Sequence, residues 1–266
     1  MKKILTIAGS DTSGGAGIEA DLRTFAKYNL YGMAAVTVIV TMDPKNNWAH
    51  NVFPIPVPVI EQQLETVFDG VGIDAMKTGM LPTAEIIELT SRHLAKYFGK
   101  MPIVIDPVMV CKGDKPLFPE HAEAMSKLLM QYSTITTANL FEAGQLAGMG
   151  TLTTFAEAKK ACEAIIKAGS KSVVIKLAGN LENSQSAGDL FFDGNEFFLV
   201  EGKKVETTHT HGLGCTYAAH IASQLCLGAD VKTACIKAKE ALTKGLENSF
   251  PLNQYVGTLN FGKSFE

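Results

Sequence analysis

Short uninterrupted apolar runs recur along this chain, and a longer stretch with helical spacing follows most of them. Ile4 to Ala8, Ala35 to Val40, Ile73 to Met76, Ile103 to Ile105, Thr134 to Thr137 and Val173 to Ile175 read as strands. Between and around them Ile18 to Tyr28, Val59 to Phe68, Ala84 to Tyr97, Glu120 to Met130, Leu140 to Ala147 and Phe155 to Ala168 read as helices. Asp189 to Glu201 reads as a hairpin turning at Asp193-Gly194-Asn195, and helices over Thr216 to Leu227 and Val231 to Asn248 follow it. Continuously apolar strands must be covered on both faces, and strands alternating with helices form a parallel sheet. The expectation is an α/β fold with a mostly parallel sheet between helical layers. No Pro/Gly/Ser-rich linker or internal repeat divides it, so residues 1–266 are expected to form a single domain.

In such sheets ligands gather at the carboxyl ends of the strands. The residues just past each strand are Gly9-Ser10-Asp11, Met42-Asp43, Lys77-Thr78-Gly79-Met80, Asp106-Pro107, Asn139 and Lys176. Any one of them reads as an ordinary loop residue; together they predict a site. Thr210-His211-Gly212-Leu213-Gly214-Cys215-Thr216 then opens an apolar helix. Free N–H groups and the helix dipole make such a start an anion cradle formed by Gly212 to Cys215. A cysteine there is expected to have a lowered pKa. Lys176 ends an apolar strand, where an unpaired charge is costly, so a phosphate or a salt bridge should answer it.

Other chemistries find little support. Hydrophobic residues make up 46% of the chain and the net charge is −3, with no Lys/Arg cluster, so no nucleic-acid partner is expected. No apolar run is long enough for a bilayer, and no leader segment is evident, so no membrane partner and a cytoplasmic location are expected. The five cysteines show no CxxC pair or disulfide framework; Cys162, Cys226 and Cys235 fall in helical patterns and read as inert core. GxxxxGK[ST] is absent. Gly15-Ala16-Gly17-Ile18-Glu19-Ala20 matches a dinucleotide fingerprint on paper, but six residues separate the first strand's end from it. Those glycines better suit a loop folded over a small substrate.

Ala8 to Leu22 resembles the opening of the hydroxymethylpyrimidine kinase and short pyridoxal kinase group of the ribokinase superfamily. Further matches follow in order: Lys77 to Leu81, Asp106 to Met109, Asn139 to Ala143, Val174 to Lys176 and His209 to Thr216. The resemblance spans essentially the whole chain. It implies a three-layer α/β/α sandwich that transfers the γ-phosphate of ATP, with Mg²⁺, to a primary alcohol on a small heterocycle. Cys215 would take the base position that an Asp holds in related sugar kinases, beside an anion hole of Gly212, Leu213 and Gly214. Asn139, Lys176 and Glu142 would orient phosphates and metal, with Asp106 assisting. Gly9, Asp21, Met42, Met80 and Val108 would line the ring pocket, with Asp11 nearby. Relatives of this kind imply a homodimer.

Two positions divide the branches. Hydroxymethylpyrimidine kinases carry a Gln where this chain has Met42; a thioether packs on a ring but cannot pair with an aminopyrimidine. Val110-Cys111-Lys112-Gly113 resembles the lid of the two-cysteine pyridoxal kinases of Gram-positive bacteria, where the Cys111 thiolate could add to the pyridoxal aldehyde as a hemithioacetal. Phe250 to Gly257 also resembles that subgroup. Ala138 replaces an expected Pro, and Leu177-Ala178 replace an expected Gly-Gly, side chains that could narrow the approach to phosphate. The resemblance therefore points to a vitamin B6 kinase, with a hydroxymethylpyrimidine (phosphate) kinase as the rival within the class. A non-catalytic B6-vitamer sensor is the rival outside it.

Overall fold

The computed structural model describes residues 1–109, 119–178 and 188–265. Strands β1 (Lys3–Asp11), β2 (Tyr31–Asp43), β3 (Ala49–Pro54), β4 (Ala75–Thr78), β5 (Ile103–Ile105), β6 (Ile135–Asn139), β7 (Val173–Lys176), β8 (Asp189–Phe192) and β9 (Phe197–Val200) form one sheet among the described residues. Its order is β3-β2-β1-β4-β5-β6-β7-β8-β9. The six strands from β2 to β7 in that order are parallel, while β3 closes one edge and the β8–β9 hairpin the other in antiparallel fashion.

Period-two alternation sorts the strand residues between two helical layers. Leu5, Ile7, Met76, Ile103, Ile105, Val173 and Ile175 face one core, shared with α2 (Val57–Glu65), α3 (Ala84–Tyr97), α4 (Pro119–Leu128), α5 (Leu140–Leu146) and α6 (Phe155–Lys167). Ile4, Ala75, Val104, Ile135 and Val174 face the other, shared with α1 (Gly17–Lys27), α7 (Leu213–Cys226) and α8 (Val231–Glu247). The fold is thus the expected α/β/α sandwich. Helix α3 and strand β5 have the bounds read from the sequence.

The departures lie at the strands' carboxyl ends. β1 runs on through Gly9-Ser10-Asp11 and β2 through Met42-Asp43, so polar residues expected in loops are held on strands. The pairing of β1 with β2 shifts register between Ala8 and Gly9, a bulge of the kind that re-aims side chains beside sites. β3 was not expected; its sequence AHNVFP lacks alternation and is mostly exposed. Among the described residues no helix is long and apolar enough to cross a membrane.

Helix α1 holds the Gly-rich loop against the sheet through Phe25, which is fully buried with α7 and α8. Phe25→Ala should cost about 3–5 kcal/mol of unfolding free energy, read as a lower denaturation midpoint in urea.

Candidate active site

A cleft of about 1170 Å³ opens along the carboxyl ends of the strands. Its walls include Gly9, Met42, Met80, Val108, Asp106, Asn139, Glu142, Lys176, Gly212, Leu213, Gly214 and Cys215. Twelve positions expected at the site are therefore brought together. Two are not placed there: Asp21 is buried elsewhere, and Cys111 lies outside the described residues.

Two helix starts meet at one end of the cleft. Gly212 caps α7 with φ of +76°, a left-handed conformation that suits glycine. A Cβ there would stand 1.8 Å from the Gly15 carbonyl oxygen, so the turn before α7 presses directly on the loop before α1. Gly17 opens α1 with φ of +58°. The N–H groups expected to form an anion cradle are in place with one change. Leu213 N–H is already spent on the Thr210 carbonyl at 3.3 Å. The N–H groups of Gly212, Gly214 and Cys215 have no hydrogen-bond acceptor among the described residues and remain for an anion. The Lys176 ammonium lies beside this turn, 3.4 Å from where a Gly214 Cβ would stand.

Lys176 answers its burial by the second of the two expected means, a salt bridge. Its Nζ donates to the Thr137 carbonyl at 3.2 Å and lies 3.4 Å from Asp106 Oδ1 and 3.9 Å from Glu142 Oε2. Burial opposes its charge, but Asp106 and Glu142 hold its pKa above the ordinary value. Asn139 caps α5 and forms a capping box with Glu142: Glu142 N–H donates to Asn139 Oδ1, and Asn139 N–H donates to Glu142 Oε2, both at 2.8 Å. The box fixes Glu142 at the cleft, where burial raises its carboxyl to about 7 against the pull of Lys176. Asp106 Oδ1 also accepts from Thr137 at 3.0 Å, while its buried Oδ2 has no partner among the described residues. An orphaned carboxylate oxygen near a second carboxylate fits a hard divalent cation, for which phosphate oxygens commonly complete the shell. Among the described residues no three His, Cys, Asp or Glu side chains could hold a metal unaided.

The other end of the cleft is apolar. Val38, Val40 and Met80 are buried together, with Met42 and Val108 packed against them. Leu177 turns into the core, so only Ala178 of the expected Gly-Gly pair adds a side chain at the cleft. Ala178 nevertheless takes a left-handed φ of +51°, the conformation a glycine would hold there without strain.

Two expectations need correction. Asp21 does not line the cleft: it is fully buried in α1, where both carboxylate oxygens lie 2.9 Å from Lys77 Nζ and Oδ2 accepts from Thr6 at 2.6 Å. Burial works against the Lys77 charge, but Asp21, together with nearby Cys215 and Asp106, outweighs it and keeps the ammonium protonated. The Cys215 thiol is not acidified either. Burial pushes it up to about 12, and nearby Lys77 only partly opposes the rise. The reading of Cys162 and Cys226 as inert holds, with burial raising their thiols to about 12 and about 11.

One pair escaped the sequence reading. His211 Nε2 donates to Asp11 Oδ2 at 2.6 Å, and both residues line the cleft. Burial works against the Asp11 carboxylate, yet hydrogen bonds from His211 and Ser13 hold it below its ordinary range. Nothing local could have found it, since 200 residues separate the partners.

Residues 11–260 match the phosphomethylpyrimidine kinase family. The chain belongs to this family. It is 51% identical to the pyridoxine kinase of Bacillus subtilis strain 168, over 97% of this chain and 94% of the relative. The hydroxymethylpyrimidine/phosphomethylpyrimidine kinase of the same organism is 36% identical, over 97% and 94%. An ADP complex of Bacillus subtilis pyridoxal kinase superposes with a TM-score of 0.94 at 49% identity, covering 99% of this chain and 98% of that one. The similarity thus spans both branches of the family, and these values are higher on the B6 side.

A thiol raised this far should resist alkylation although it opens onto the cleft. At pH 7 the Cys215 peptide, followed by mass spectrometry, should take up iodoacetamide more slowly than free cysteine, with the rate climbing above pH 9. Rapid labelling at pH 7 would show an acidified thiol instead.

Proposed function

We propose that this chain is an ATP- and Mg²⁺-dependent vitamin B6 kinase that phosphorylates the 5′-hydroxymethyl group of pyridoxal, and of pyridoxine and pyridoxamine. The observation that carries the reading is an apolar ring pocket with Met42 in its wall, opening onto an anion cradle of free N–H groups. Met42 offers a polarisable contact to a ring face and no paired donor and acceptor for an aminopyrimidine. The higher identity to the pyridoxine kinase supports the same branch.

Phosphoryl transfer needs positioning and stabilisation of charge on the phosphate oxygens. Gly212, Gly214 and Cys215 would donate N–H bonds to the transferring group, and Lys176 would add its charge from the side. Asp106 and Glu142 would hold Mg²⁺, which supplies neutralisation of the phosphate charge when bound. As the alcohol oxygen bonds to the γ-phosphorus and the bond to the leaving ADP oxygen breaks, the hydroxyl proton passes to Cys215 in the small fraction of molecules where it is already the thiolate. Cys111 is proposed to close over the ring as a second thiol. A homodimer, as the resemblance implies, is part of the same proposal.

A coupled ADP-release assay tests the substrate. Turnover of pyridoxal well above that of hydroxymethylpyrimidine is expected. Turnover of the pyrimidine alone would favour the thiamine branch, and turnover of neither would leave a vitamer sensor.

The base role can be tested by pH. Acting as base requires the thiolate, which burial disfavours, so kcat should rise about tenfold per unit between about pH 7 and 9. Cys215→Ala should lower kcat by about 10²-fold or more while pyridoxal binding stays measurable. Cys215→Asp should flatten the pH profile. Near-normal turnover in Cys215→Ala would remove the role.

A further inference from the structure

The Asp11–His211 pair sits where the two halves of the phosphate end are joined. Asp11 is the last residue of β1 and is 5% exposed. Its Oδ1 accepts from the Ser13 N–H at 2.8 Å and the Ser13 hydroxyl at 2.7 Å. Its Oδ2 accepts from the Ala16 N–H at 2.8 Å and from His211 Nε2 at 2.6 Å. The loop from Ser13 to Ala16 is therefore wound around one carboxylate, which ties off a donor at the start of α1.

His211 is held equally closely from the other side. Its N–H donates to the Gly257 carbonyl at 3.0 Å, and its own carbonyl accepts from the Thr258 hydroxyl at 3.0 Å. Its ring lies over Gly15, where a Cβ would stand 2.4 Å from Cδ2. The next residue is Gly212, the left-handed cap of the cradle. Since Nε2 is committed to Asp11, that nitrogen is not available to a bound phosphate. The pair acts by fixing where Gly212, Gly214 and Cys215 point.

We propose that Asp11 and His211 are a positioning pair for phosphoryl transfer, locking the Gly-rich loop before α1 to the anion cradle before α7. The proposal rests on the kinase reading above and adds residues to it. Misplacing a catalytic array by about 1 Å can cost about 10²-fold in rate. Asp11 pairs along the sheet with Val40 at the edge of the apolar pocket, but among the described residues the side chains of the pair bond only to the Gly-rich loop and to each other, through Ser13, Ala16 and the Asp11–His211 contact. A loss confined to the transfer step and to nucleotide binding is therefore expected, which a general loosening of the fold would not produce.

The test compares wild type, H211A, H211Q, D11A and D11A/H211A in the full chain. Steady-state kinetics with pyridoxal are measured beside calorimetric affinity for a non-hydrolysable ATP analogue. H211A should lower kcat by about 10²-fold with the pyridoxal KM within about twofold, and should weaken analogue binding about tenfold. H211Q places an amide donor near the old Nε2 and should recover at least about tenfold of the lost kcat. D11A/H211A should be no worse than D11A, because both changes break one contact. The proposal is overturned if kcat of H211A stays within about threefold of wild type, if the pyridoxal KM rises as far as kcat falls, or if the two losses multiply. If H211A does not fold, H211Q against H211N decides: an advantage of about tenfold for Gln supports the pair, and parity overturns it. If wild type fails to turn over pyridoxal, the kinase reading falls, and the analogue affinities alone then judge the pair.

Discussion

The site depends on two backbone turns approaching closer than any side chain would permit. A Cβ on Gly212 would overlap the Gly15 carbonyl, and one on Gly17 would stand 2.3 Å from the Gly9 carbonyl oxygen. Because both are glycines in left-handed conformations, the starts of α1 and α7 converge at the end of β1. Their unsatisfied N–H groups then concentrate positive potential at one place. Everything else at this end of the cleft is arranged around that contact. The bulge at Gly9 shapes the strand beneath it, and Asp11 and His211 tie the two turns together.

Charge burial is the second organising term. A charge removed from water needs a partner, and two sets near the cleft meet that need in different ways. Lys77 and Asp21 neutralise each other within the molecule, with Thr6 completing the carboxylate's hydrogen bonds. Lys176, Asp106 and Glu142 form the other set, facing the cleft and incompletely satisfied, with a free Asp106 oxygen and a Glu142 carboxyl poised near neutral pH. The closed set stabilises one arrangement; the open set is suited to a cation and phosphate. The same burial decides the state of Cys215. A helix start and a nearby ammonium favour thiolate, but loss of water outweighs both and leaves a protonated thiol.

Most of the architecture is legible in the residues because periodicity records burial. Val173 to Ile175 are apolar on both faces and could be read only as an interior strand, and α3 carries clear helical spacing with a Thr83 cap. The strand ends are less legible because Gly9 to Asp11 and Asp43 are polar or small yet remain paired with neighbouring strands. β3 was hidden because an exposed edge strand needs no alternation. The cleft residues were legible as a set, since the parallel topology delivers every strand end to one edge. Asp21 was placed at the ring pocket by resemblance alone, and only the fold brings Lys77 beneath it. Asp11 with His211 lay beyond local reading altogether.

A crystal structure with a non-hydrolysable ATP analogue and pyridoxal bound tests the central claim most directly. The account predicts the terminal phosphate within hydrogen-bond distance of the Gly212, Gly214 and Cys215 N–H groups, with the 5′-hydroxyl pointing at the Cys215 sulfur. A terminal phosphate held elsewhere in the cleft, with that sulfur away from the hydroxyl, would contradict it.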